Sequence, residues 1–193
     1  MAQFTVLTSR DIGSILKRYT LGKPLSYGAL DGGLANSSVK IETESGRYVL
    51  SVCDEKEMDE ISRLCALLHY LEKHDFPTTR VIATREGEHC IDYQGKPLYI
   101  KRYIDGEVVR QLAAHQLFEV GATLAGLHEL PPYPGLPERF SYGIECFDEL
   151  KEMVSAESYY QWLSTCRKRV EDARTEALPR GFVHGDLFFD NMV

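Results

Sequence analysis

The sequence contains no CxxC pair: its five cysteines, at 53, 65, 90, 146 and 166, are odd in number and widely spaced. That pattern speaks against a disulfide framework and reads as free thiols in a reducing cytoplasm, each serving as a small hydrophobe. Six scattered histidines form no cluster with them, which argues against a zinc site. No apolar run approaches the roughly 20 residues of a membrane span. The N-terminus, MAQFTVLTSRD, has no basic region leading into an apolar stretch, so no secretory signal is expected. Positive charge is in deficit. With 22 Lys and Arg against 29 Asp and Glu, the formal net charge is -7, which disfavours a broad nucleic-acid-binding surface. The GxxxxGK and GxGxxG phosphate loops and the GxSxG nucleophile elbow are all missing. No internal repeat or low-complexity tract is visible.

What is present is an ordinary globular composition, 44% hydrophobic and 26% charged over 193 residues, enough to bury a core without staples. Residues 8–20 carry Ile12, Ile15, Leu16 and Tyr19 on one stripe of a short helix, with Thr8 or Ser9 as its cap. Strands are expected at 25–30, 38–43 and 47–53, joined by a turn at 31–38 and by Glu44-Ser45-Gly46. Residues 54–74 switch to helical period through Ile61, Leu64, Leu67, Leu68 and Leu71. Further strands follow at 81–84, 89–93 and 98–104. Antiparallel strands plus one helix predict an α+β sheet lobe over 1–105. From 106 the pattern is helical: one helix over 109–129 with Leu112, Leu117, Val120, Leu124 and Leu127, then mostly helix over 145–178.

Two segments carry candidate chemistry. Gly32-Gly33 lies between two strands and admits two readings. One is a tight hairpin; the other is a hairpin whose small residues let backbone N–H groups approach an anion. The second segment is His184-Gly185-Asp186-Leu187-Phe188-Phe189-Asp190-Asn191, flanked by Phe182, Val183 and Met192, Val193. Its Asp and Asn, five residues apart on one short loop, match two needs of phosphoryl transfer. A carboxylate takes the proton of the attacking hydroxyl, and an oxygen ligand holds Mg2+ against the phosphates.

This loop, HGDLFFDN, resembles the catalytic loop of the kinase-fold small-molecule phosphotransferases, a superfamily that includes aminoglycoside phosphotransferases, choline kinases and kinase-fold homoserine kinases. The resemblance extends along the sheet lobe, a hinge at Tyr103–Gly106 and the Leu124-Ala125-Gly126-Leu127-His128 helix. It implies a two-lobed protein-kinase-like fold with ATP and Mg2+ as cofactors and a small hydroxyl-bearing acceptor as partner. By position, Asp186 resembles the catalytic base, His184 a residue that holds the loop, Gly185 a point of close backbone packing, and Asn191 a Mg2+ ligand. Asp190 is either a turn former or an accessory to the metal region. Gly32, Gly33, Asn36, Ser51 and Tyr103 are the nucleotide-contact candidates.

The chain departs from the antibiotic-kinase and choline-kinase pattern in one ion pair. Ser51 stands where the third strand of those relatives carries a lysine, and Leu64 where the helix carries its carboxylate. A small hydroxyl there, with an acid one turn earlier at Glu60, is similar to the homoserine kinases of this fold. Lys40 is either a replacement cation or a solvated edge lysine. Glu145, Asp148, Glu149, Glu152 and Glu157 form either a solvated helix face or a receptor for an ammonium-bearing acceptor. The superfamily carries a further metal-binding Asp after the loop, whereas this chain stops two residues past Asn191, so a fragment of a longer protein is expected. The resulting expectation is a homoserine kinase. The alternatives are an aminoglycoside- or choline-type kinase and, in another class, a catalytically dead nucleotide-binding module or inactive fragment.

Overall fold

The computed structural model describes residues 5–30, 36–136, 143–144, 147, 157–174, 179 and 181–193. Two compact units are present. The first joins Met1–Gly135 to Phe182–Val193, and the second is Leu136–Gly181. The lobe boundary expected at 105–107 falls inside the first unit.

The first unit opens with α1 (Ser9–Leu16). Thr8 is its cap: the Thr8 hydroxyl accepts from the Asp11 N–H, and the Asp11 carboxylate accepts from the Thr8 N–H at 2.9 Å. This reciprocal box satisfies two backbone donors that the helix leaves open. Strands β1 (Pro24–Ala29), β2 (Asn36–Thr43) and β3 (Gly46–Cys53) follow, then α2 (Met58–Lys73). Strands β4 (Val81–Ile82), β5 (Ile91–Tyr93) and β6 (Lys96–Arg102) complete an antiparallel sheet of order β1-β2-β3-β6-β4, with β5 also on β6. Gln94 and Gly95 both have positive φ, 56° and 82°, as the two-residue turn joining β5 to β6 requires.

Because β3 is central, it is buried on both faces from Tyr48 to Cys53. One face, with Leu50, Val52, Leu98 and Ile100, packs on Ile12, Ile15 and Leu16 of α1 and on Tyr19. The other face, with Cys53, Tyr99 and Val81, packs on Ile61 and Cys65 of α2. Strand spans are shorter than expected at 81–84 and 89–93, where Thr84 and Glu88 instead close a turn through Thr84 N–H to the Glu88 carbonyl at 2.7 Å. Helix α2 begins at Met58 rather than at 54, because Asp54 is drawn into a polar network at the sheet.

Helix α3 (Ala114–His128) occupies part of the expected 109–129 span. Of its anticipated stripe only Leu127 is buried; Leu117 is exposed, as is Phe118, and no described residue covers them. In the second unit the described helix is α4 (Glu157–Ala173), braced by the i,i+4 pairs Arg167–Glu171 and Lys168–Asp172.

Candidate active site

The HGDLFFDN loop starts from a buried ring. Phe182 stacks on Tyr70 of α2 with centroids 5.9 Å apart, and the Tyr70 hydroxyl donates to the Pro131 carbonyl at 2.7 Å. Tyr133 lies against the same ring at 4.8 Å. The helix that covers the sheet therefore also fixes the start of the loop. Sequence reasoning missed Tyr70. Its only signal was an aromatic residue on the helix beside Leu71.

Gly185 has φ of +79°, a backbone state that strains any residue with a Cβ. The glycine is thus demanded by the chain reversal before Asp186, a stronger reason than the close packing expected. The Asp186 N–H donates to His184 Nδ1 at 3.4 Å. His184 is exposed, so it braces the loop by this long hydrogen bond and not by burial. A 3-10 turn at Phe189–Asn191 then brings Asn191 back: its Nδ2 donates to the Asp186 carbonyl at 2.8 Å and to Asp186 Oδ2 at 3.2 Å. Both contacts use the amide nitrogen, which leaves Asn191 Oδ1 as the atom able to meet a hard cation. Asp186 and Asp190 are both exposed. The guanidinium of Arg110 lies 5.7 Å from the Phe189 ring centroid.

No group of three or more His, Cys, Asp or Glu side chains able to hold a metal exists among the described residues. The donor set at Asn191 and Asp186 fits a cation that keeps most of its coordination for phosphate and water, the habit of Mg2+.

The nucleotide-contact candidates on the sheet share one face. Register places Asn36 opposite Cys53, Ser38 opposite Ser51, and Lys40 opposite Val49. Across β3, Ser51 pairs with Tyr99 and Val49 with Lys101. Ser51 is buried, with its Oγ 3.1 Å from Ser38 Oγ. Burial pushes the Tyr99 phenol up to about 12. Asn36 Oδ1 is buried, with no hydrogen-bond partner among the described residues. At the end of β6, Tyr103 lies under the ammonium of Lys40, 4.0 Å from ring centroid to Nζ, and its N–H donates to the Arg47 carbonyl at 3.0 Å. Lys40 is therefore partly buried on an aromatic face, not a solvated edge lysine. Next to it, Asp105 pairs with Arg47 at 2.5 Å, and a Cβ on Gly106 would come within 2.6 Å of Val193 Cγ1. The hinge and the end of the loop thus touch.

Leu64 packs against the buried Cys53 cluster, and Glu60 pairs on the surface with Lys56 at 2.7 Å. Glu60, in the first turn of α2, therefore answers a lysine just ahead of the helix. Gly32 and Gly33 lie outside the described residues, as do Glu145, Asp148, Glu149 and Glu152; Glu157 begins α4 and accepts from Gln161.

Comparison with known proteins bears on the family and the fold. A family model described as phosphotransferase enzyme family matches residues 26–193. A homoserine kinase of Phenylobacterium zucineum is 30% identical over 203 residues, covering 100% of this chain and 62% of its own length. One of Caulobacter vibrioides is 31% identical over 206 residues, with 63% of its length covered. The chain thus spans less than two thirds of these relatives. Among solved structures, spectinomycin phosphotransferase in complex with ADP and spectinomycin superposes with a TM-score of 0.62 at 15% identity, over 95% of this chain and 64% of that one. Amicoumacin kinase in complex with AMP-PNP and Ca2+ gives 0.63 at 15% identity, over 94% and 59%. Choline kinase from Cryptosporidium parvum gives 0.58 at 18% identity, over 86% and 50%. These likenesses show the fold, an α+β protein-kinase-like arrangement of antiparallel sheet and helices. With the family model covering the sheet, the hinge and the whole of the loop, the chain belongs to the phosphotransferase enzyme family.

Proposed function

We propose that the protein transfers the γ-phosphoryl group of ATP to the hydroxyl of a small metabolite, with L-homoserine as the acceptor. The observation that carries this reading is the clasp within the loop, where the Asn191 amide holds Asp186 at 3.2 Å. It sets a proton acceptor beside an oxygen ligand on one short segment. ATP, when bound, supplies the phosphoryl group, with Mg2+ offsetting its charge. The chain's own residues do the rest. Asp186 orients the acceptor hydroxyl and takes its proton. Asn191 offers Oδ1 to the metal. His184 and Gly185 hold Asp186 in place. In this reading residues 1–105 form the nucleotide-binding sheet lobe and 106–193 part of a helical lobe. Tyr103, Ser51 and Asn36 line the nucleotide side in this reading, with Gly32 and Gly33 as further nucleotide-contact candidates.

Homoserine as acceptor is supported by the names of the relatives at 30% and 31% identity and by the uncharged Ser51 on the third strand. A cytoplasmic setting accords with the free thiols, and no helix among the described residues is long and apolar enough to cross a membrane. Neither a nucleic acid nor a membrane is a partner in this reading. A coupled ADP-release assay with L-homoserine, choline and an aminoglycoside tests it. Homoserine should be preferred, because a site built for both an ammonium and a carboxylate strongly rejects ligands lacking either. Turnover with choline or the aminoglycoside alone would replace the acceptor but keep the chemistry. ATP binding without turnover on any acceptor would favour a dead binding module.

The metal role has its own test. Asn191→Ala should weaken ATP binding about tenfold in Mg2+ and far less in a chelator, since only the metal-bridged contact is lost. Equal weakening in both conditions would make Asn191 a plain loop residue.

A further inference from the structure

The sheet face that carries Ser51 also carries a second lysine, which the sequence reading did not single out. In the cross-strand row Lys40–Val49–Lys101, the three side chains share one face, and Lys101 is the diagonal neighbour of Ser51. Lys40 is engaged over the Tyr103 ring. Lys101 is partly buried, and none of the hydrogen bonds or ion pairs among the described residues includes its ammonium. The Tyr99 ring, 6.0 Å away, is a weak neighbour for a cation. Cys53 gives no counter-charge, because burial pushes its thiol up to about 11 and keeps it neutral. Its own burial pulls the Lys101 ammonium below the usual lysine range.

A cation withdrawn from water without an acid costs free energy that an arriving anion returns. The position of Lys101 says which anion. It lies two residues before Tyr103, where the hinge begins, on the face of Ser51 and Ser38 and beside the largely apolar contact with α2.

We propose that Lys101 is a nucleotide-binding residue whose ammonium pairs with the phosphates of the bound nucleotide. This rests on the ATP reading above and deepens it. The chain then keeps a phosphate-binding cation on this face while its third strand holds a serine: the charge comes from β6, one strand over. A lysine there is a point charge on a flexible stem, suited to a phosphate and needing no fixed fork.

The test is calorimetric titration of the chain with ADP and, separately, with adenosine. Lys101→Met should weaken ADP about tenfold or more and leave adenosine within about twofold, because a charge-assisted contact contributes more than a tenfold step in affinity. Lys101→Arg should restore most of the ADP affinity. Equal losses for both ligands, or no loss for ADP, would overturn the assignment and leave Lys101 a packing residue. Should Lys101→Met fail to fold, amine acetylation of the wild-type chain serves instead: ADP, and not adenosine, should protect Lys101, and unchanged acetylation would overturn the assignment. A wild-type chain that binds neither ligand removes the ATP reading itself and this assignment with it. One that binds both while Lys101→Met behaves as wild type removes Lys101 alone.

Discussion

Asp186→Asn should lower kcat by about a hundredfold or more in the active protein while leaving nucleotide affinity nearly unchanged. General-base assistance to a hydroxyl is worth roughly that factor or more. The substitution is conservative for the loop. Asn191 Nδ2 keeps its 2.8 Å bond to the carbonyl at position 186, and the new side-chain oxygen can still accept the second contact. Only the capacity to take a proton is removed. Loss of kcat and of kcat/KM in equal measure is therefore the expected signature. Wild-type turnover in this variant would strike Asp186 from the reaction and leave the clasp as a structural turn.

The largest effect on stability is expected at Asp54. Its carboxylate is almost fully buried, and it accepts from Lys96 at 2.6 Å, Thr5 at 2.6 Å, and both the N–H and the hydroxyl of Ser37 at 3.0 and 2.6 Å. Burial alone would raise its pKa, but the donors, Lys96 first, then Ser37 and Thr5, outweigh that and hold it at about 2. Asp54→Ala should cost about 3 kcal/mol in urea unfolding, the scale for breaking a buried charge pair. The pH dependence has a definite sign. A carboxylate depressed below its unfolded value contributes stability that is complete above about pH 4 and is lost as pH falls through about 2. The wild-type midpoint should therefore drop across that window more steeply than that of Asp54→Ala. Parallel pH profiles for the two proteins would contradict the assignment.

Asp54 also illustrates what a linear reading can and cannot reach. Helical period placed it at the head of α2, because its partners Thr5 and Lys96 are distant in sequence and no local pattern links them. The same holds for Tyr70, whose importance depends on Pro131, Tyr133 and Phe182 converging on one ring. Elements governed by neighbours along the chain were legible: the start of α1 at Thr8 or Ser9, of which Thr8 is the cap, and the turn at Glu44-Ser45-Gly46 between β2 and β3. So was the juxtaposition in the HGDLFFDN loop, since its Asp and Asn lie five residues apart and bond to each other. The expected apolar stripe of α3 is largely uncovered because periodicity reports which side chains are apolar, not what lies opposite them. Lys101 escaped notice for a related reason. On a strand buried from both sides, a lysine looks like an edge residue until register shows it flanking Val49 and Ser51.

The cysteines, which gave no motif, have a practical consequence. Cys53 and Cys65 are buried between the sheet and α2; burial raises the Cys53 thiol, and a hydrogen bond with Cys90 together with burial raises that of Cys65, away from the reactive thiolate form. Cys166, on α4, is only partly covered. Among the described residues an alkylating reagent therefore meets two populations: Cys90 and Cys166, partly covered thiols that react from the folded state, and the buried pair Cys53 and Cys65, which reacts only when α2 lifts from the sheet. The rate at which the buried pair is trapped is a clock for that opening, built into the chain without a label, and it reads the local stability of the contact between the sheet and α2.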